Sequence, residues 1–232
     1  MSPVNPAPLR CRLQLALVLA MCFCASCSTM PPVEIEASRA DMARSFLRRP
    51  ENRLRQGISF SVEVHPGTMD APKSIDLEGE EDGRVIYRPR PLLANAAATF
   101  AEIYDAESRS VEAQRVNVLL ELVYLRVSMQ PGGGGDRNPY TSVGLRFSLP
   151  KHGVAESRVV ECLLTAQVGP AAYWADPSNR WNEACVVRGG KSLFFPTQRA
   201  KALAVNDAVN STVLLTLFWG IRELQREFET ER

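Results

Sequence analysis

Histidine is almost missing from this chain: there are two, His65 and His152, each beside a turn-forming proline or glycine. Neither has a second histidine or a cysteine at metal-ligand spacing, so both read as surface-loop residues and no metal ligand set is nominated. No Gly-x-Ser-x-Gly elbow offers a hydrolase nucleophile. Gly190-Lys191-Ser192 copies the end of a phosphate-binding loop, but Cys185 stands where the loop's first glycine is required. An excess of one charge is lacking as well. Lys and Arg number 27 against 26 Asp and Glu, which leaves no electrostatic footprint for nucleic acid. No internal period marks a repeat array. The acidic run Glu78, Glu80, Glu81, Asp82 reads as a solvated loop, and the glycines at 132–135 as a hinge or linker. Nothing here calls for a cofactor.

A continuous membrane-length apolar run is absent too, although the N-terminus starts one. From Leu13 to Ala25 the stretch is apolar but short of the roughly 20 residues that a spanning helix needs. With Arg10 and Arg12 before it and small residues after it, the segment has the order of an export signal. Cys24-Ala25-Ser26-Cys27 refines this. In bacterial lipoproteins small residues precede the cysteine that becomes acylated, and Ala25-Ser26 supply them before Cys27. Met21 and Phe23, before Cys22 and Cys24, are too large. Cys24 itself departs from the pattern, since leucine is usual there. The reading is a lipoprotein signal peptide over 1–26 and lipidation at Cys27; an ordinary signal peptide and an uncleaved anchor are the alternatives. Two acyl chains hold a protein on a membrane where one does so marginally. Ser28 resembles the sorting signal for the outer membrane, so the expected place is its periplasmic face. Loss of 1–26 removes two arginines and moves the formal charge from +1 to −1.

Residues 27–37 then read as an acylated tether, broken by Pro31-Pro32. A single domain over 38–232 follows. Ser38-Arg39-Ala40-Asp41 has the form of a capping box that opens a short helix ending before Pro50. The arginines around it (39, 44, 48, 49, 53, 55) read as a solvated face, with a juxtamembrane patch on anionic lipid as the alternative.

Strands come next. ISFSVEV (58–64) alternates apolar and polar residues, 66–82 reads as a loop, and GRVIYR is a short strand stopped by Pro89. Leu92, Ala96, Phe100 and Ile103 recur at helical spacing, with Pro91 suited to the first turn. RVNVLLELVYLRVSM (115–129) fits neither period cleanly; its valines favour a central strand. Two alternating strands joined at 150–153 form an expected hairpin. Val205, Val209, Val213, Leu217, Ile221, Leu224 and Phe228 mark a closing amphipathic helix. The order implies an α+β fold, a two-layer domain with a largely antiparallel sheet packed against helices.

The lipobox, the PPVEIE tether, the Val-Asn-Val-x-Leu strand and the helix carrying Asn206-Asp207-Ala208-Val209-Asn210-Ser211 together resemble the YajG-type family of bacterial lipoproteins. More loosely, the chain resembles auxiliary lipoproteins of envelope ABC transporters. The resemblance implies a small α+β domain at the periplasmic face of the outer membrane, with no catalytic residues.

After acylation of Cys27, Cys162 and Cys185 are the thiols that remain, in an oxidising compartment. They form a possible disulfide; the alternative is a buried thiol at Cys162. The loop between them concentrates Tyr173, Trp174, Arg180 and Trp181, residue types that anchor protein interfaces. The alternative is a cluster capping the sheet edge. The expectation is a non-enzymatic binding or assembly factor with an envelope protein partner. An auxiliary role in lipid transport requires an apolar groove for an acyl chain. An envelope hydrolase requires convergent carboxylates or an activated serine.

Overall fold

Valine and leucine at every second position, interrupted once, make Gln114–Pro131 the longest strand of the domain. The computed structural model describes residues 31–38, 40–54, 58–104, 114–131, 137–149, 157–165, 173–174, 187–188 and 198–230. Within them the order is β1 (Val33–Glu34), α1 (Asp41–Leu47), a 3-10 turn (Pro50–Asn52), β2 (Ile58–Val64), β3 (Lys73–Glu78), β4 (Arg84–Tyr87) and α2 (Pro89–Tyr104). Then come β5 (Gln114–Pro131), β6 (Arg137–Ser148), β7 (Ser157–Thr165), the short pair β8 (Tyr173–Trp174) and β9 (Val187–Arg188), and α3 (Gln198–Thr230). This is an α+β fold.

The sheet runs β1-β4-β3-β5-β6-β7, and β2 also pairs with β5. β5 therefore has a forked edge. Its first half pairs with β2 from Ile58↔Gln114 to Val64↔Leu120, and its second half meets β3 at Leu77↔Val127 and Glu78↔Ser128. Both pairings are parallel, as is β1 with β4, while β5-β6-β7 and β3-β4 are antiparallel. The sheet is thus mixed rather than largely antiparallel. The residues carried it only halfway because strand direction is set by crossover connections, which alternation does not record.

On β5, Val116, Val118, Leu120 and Leu122 are buried, then Leu125, Val127 and Met129. The phase slips at Val123, which has no partner where the register steps from Leu122↔Leu145 to Tyr124↔Gly144. One bulged residue shifts all later side chains across the sheet. Val123 is 42% exposed, as an extra residue on the solvent side should be.

The closing helix α3 is longer and more deeply buried than its expected stripe. All seven apolar positions expected to face the core are buried or half-buried, but so are Asn210, Ser211, Thr212 and Thr216 between them. α3 lies against β6 and β7, and α1 and α2 pack on it in turn. Over residues 208–221 the helix is buried on every side and has no polar face to keep. Thr212 and Thr216 donate to the carbonyls of Ala208 (2.6 Å) and Thr212 (2.7 Å), which satisfies their hydroxyls inside the helix. Ala202–Arg226 is long and apolar enough to cross a membrane, but 78% of its most apolar window is buried within the domain.

Three further boundaries differ from expectation. The span 66–82 contains β3. Val33–Glu34 of the expected tether pairs with β4, and Val33 is buried. The capping box does not form: Ala40 is the N-cap, in the left-handed region at φ 49°, and the Ser38 amide binds Asn210 instead.

Candidate interaction surface

Among the described residues β2 is paired on one side only, with β5. Along a strand, successive N–H and C=O groups alternate between the two edges. His65 donates to the Leu120 carbonyl at 2.7 Å, so odd-numbered residues turn their backbone to β5. Phe60, Val62 and Val64 then turn theirs to the other edge, where no described strand lies. A cleft of about 250 Å3 follows that edge. Ala97, Phe100 and Ala101 of α2 form its apolar side with Phe60 and Val62, and Ser59, Ser61 and Arg115 its polar side. Phe60 is held from behind by Phe228 of α3, ring centroids 6.4 Å apart. Arg115 Nη2 donates to Ser61 Oγ at 3.2 Å, and its guanidinium makes no ion pair among the described residues.

A second cleft, about 230 Å3, opens on the sheet face opposite the one that buries Val127, Met129 and Val143. It is lined by Glu78, Arg126, Ser128, Gln130, Tyr140 and Ser142. Beside it the Tyr124 ring lies across β6: a Cβ added to Gly144 would come within 2.4 Å of Tyr124 Cε1. Ser142 Oγ donates to Tyr124 Oη at 3.3 Å, and the Arg126 guanidinium sits 5.6 Å from the ring centroid.

A third feature ties the N-terminal segment down. Asn206 and Asn210 of α3 and Asn95 of α2 bind the backbone of residues 36–38. Nearby, Asn52 Nδ2 donates to the Phe46 carbonyl and Tyr104 Oη to the Asn52 carbonyl, joining α1 to α2.

Cys27, Arg180, Trp181 and Cys185 lie outside the described residues, as do the side chains of Cys162, Tyr173 and Trp174. The backbone of Cys162 is in register with Val143, and Tyr173 and Trp174 pair with Arg188 and Val187 across the ends of the aromatic loop. Of the arginines near α1, Arg44 and Arg48 bind Glu102 and Arg49 covers the Phe46 ring, so these three serve packing within the domain. His65 holds a turn, accepting from the Gly67 amide through Nδ1 at 3.1 Å. Of the acidic run Glu78 alone lines either of these two clefts. Among the described residues no three His, Cys, Asp or Glu side chains gather at one point. Burial raises the Tyr87 phenol above its ordinary value of 10.0, and Tyr87 lines neither cleft.

The β2 edge was missed in the sequence because ISFSVEV reads as half-buried whether its edges are paired or open. A neighbouring Arg115 is a signal only once the parallel register with β5 is known. No family model, curated protein or solved structure matches this chain.

Proposed function

We propose that the chain is a non-enzymatic binding module of the YajG type, a two-layer domain behind a signal peptide (1–26) and tether. It is held at the periplasmic face of a bacterial outer membrane by acyl chains on Cys27. It takes an extended segment of an envelope protein as an additional strand along β2. The observation that carries this reading is the open β2 edge with its two-sided cleft. Strand addition draws affinity from main-chain hydrogen bonds and specificity from pockets for alternate side chains. Here one side favours small apolar residues against Ala97, Phe100 and Ala101, and the other favours acidic residues beside Arg115. A segment alternating apolar with acidic residues satisfies both.

The lipid-transport reading asks for a groove apolar along its length. The β2 cleft is apolar on one side alone, and the outer-face cleft has no aliphatic wall. The hydrolase reading asks for paired carboxylates, and Glu78 is the one carboxylate lining either cleft.

A photo-crosslinking residue at position 61, in intact cells, tests the proposal. The expected result is a discrete adduct with another envelope protein that disappears in the Val62→Pro background. Absence of any adduct, or one indifferent to Val62→Pro, overturns it; an adduct with a second copy replaces it by self-association.

A further inference from the structure

We propose that the cleft on the outer face of the sheet is a saccharide site. Each of its six lining side chains carries a hydrogen-bonding group, and none is aliphatic. Its charges cancel: Glu78 and Arg126 contribute one each, and neither makes an ion pair among the described residues. A polyanion therefore gains no field from the cleft, and an acyl chain gains no apolar wall. An uncharged ligand that donates and accepts at closely spaced positions meets both charged groups at once. Sugar hydroxyls do this. They donate to the Glu78 carboxylate and to Ser142 Oγ, whose own proton goes to Tyr124, accept from the Arg126 guanidinium, and do both with the Gln130 amide and the Ser128 hydroxyl. Tyr140 adds an aromatic body for the C–H faces of the ring.

The site is also preset. Tyr124 is fixed across Gly144 and by Ser142, and Arg126 rests over that ring, so little side-chain freedom remains to be lost on binding. The volume suits a sugar ring of a longer chain passing over an open face. Pockets for drug-sized ligands are larger, roughly 300–1,000 Å3. The site does not rest on the β2 reading: Arg115 and Gln130 stand near opposite ends of β5, and either site stands if the other fails.

Saturation-transfer NMR on the full chain in detergent micelles tests this, with chitotetraose and maltotetraose as probes at millimolar concentration. The expected result is saturation of ring protons in at least one of them. Arg126→Ala and Gln130→Ala each weaken that binding about tenfold, the scale of one strong hydrogen bond. Arg126 and Gln130 are exposed, so both variants fold. Arg146→Ala, on the same face but paired with Glu121 at 2.9 Å, leaves it unchanged. Transfer to neither sugar, or transfer indifferent to both cleft variants, overturns the proposal.

Discussion

Asn210 holds Glu36 as a neighbouring strand would: its side-chain amide donates to the Glu36 carbonyl at 2.9 Å and accepts from the Ser38 amide at 3.2 Å. The same nitrogen donates to the Asn206 carbonyl at 2.9 Å, and Asn206 Oδ1 accepts from the Glu36 amide. Asn95 Nδ2 completes the hold on the Ser38 carbonyl. Residues 36–38 thus have their backbone partners supplied by two helices. The consequence is positional: with Val33–Glu34 paired to β4, the clamp on 36–38 fixes the start of the described chain against the domain.

Asn210→Ala leaves two backbone groups without partners in a part-buried site, at a cost of about 2 kcal/mol. For a domain of this size that lowers Tm by roughly 4–8 °C. Asn206→Ala removes the exposed bond from the Glu36 amide and a long one, 3.4 Å, from Asn210 Nδ2, and costs less. Calorimetry on both variants checks the order; equal losses would mean that the clamp on residues 36–38 is not what Asn210 provides.

Gly220 makes the opposite kind of contact. A Cβ there would meet Phe147 Cζ at 2.1 Å, and Phe147 is 1% exposed, with nowhere to move. Alanine in a helix interior is favoured over glycine by about 1 kcal/mol. Overpacking a filled core costs about 1–3 kcal/mol, and this contact lies at the severe end. Gly220→Ala is therefore expected to destabilise despite its better propensity, and Phe147→Leu in the same chain to recover part of the loss. A Gly220→Ala variant that melts higher than the parent would show that α3 stands further from β6.

These contacts mark where sequence reasoning reached and stopped. The seven apolar positions of α3 were legible because their spacing survives however many neighbours the helix has. The burial of Asn210, Thr212 and Thr216 was not, since polar residues read as a solvent face until their carbonyl partners are placed. On β5 the run 115–129 looked ambiguous for one reason, the bulge at Val123. Read as two strands of opposite phase, its burial alternates on each side of the bulge, with Leu119 the apolar residue at an outward position. Asn206 and Asn210 were visible as a motif without a role, because their partners lie about 170 residues earlier in the chain. The open edge of β2 was hidden by the same non-local logic: pairing, not composition, decides which edges stay open.

Stability at high pH follows from Tyr87. Burial raises its folded-state pKa above 10.0, so the unfolded chain loses the phenolic proton first. The contribution of Tyr87 is then complete below pH 10 and declines as pH rises from there through the folded pKa. One proton sets the slope, at most about 1.4 kcal/mol per pH unit. Denaturant unfolding of the parent and of Tyr87→Phe across this range is the measurement. The variant is expected to fall less steeply above pH 10, and parallel curves would place the phenol in water.

The two edges of β2 make a sharper prediction, because proline removes one N–H and fixes φ at about −65°, which an open strand edge tolerates and a paired ladder does not. At Ser61 that N–H points to β5, so Ser61→Pro breaks the parallel ladder inside the sheet, where proline is not tolerated. At Val62 it points to the open edge, so Val62→Pro removes a donor that no described strand uses. Val62 is half-buried against the core, and trimming its side chain accounts for a modest loss of about 1 kcal/mol. Ser61→Pro is accordingly expected to abolish soluble accumulation, while Val62→Pro folds, melts within a few degrees of the parent and fails to form the position-61 adduct. If the two variants are equally unstable, β2 is enclosed on both sides and no edge remains for a partner strand. If Val62→Pro folds and still captures the partner, capture takes place elsewhere, and the aromatic loop holding Trp174 and Trp181 becomes the surface to test, by Trp181→Ala in the same assay.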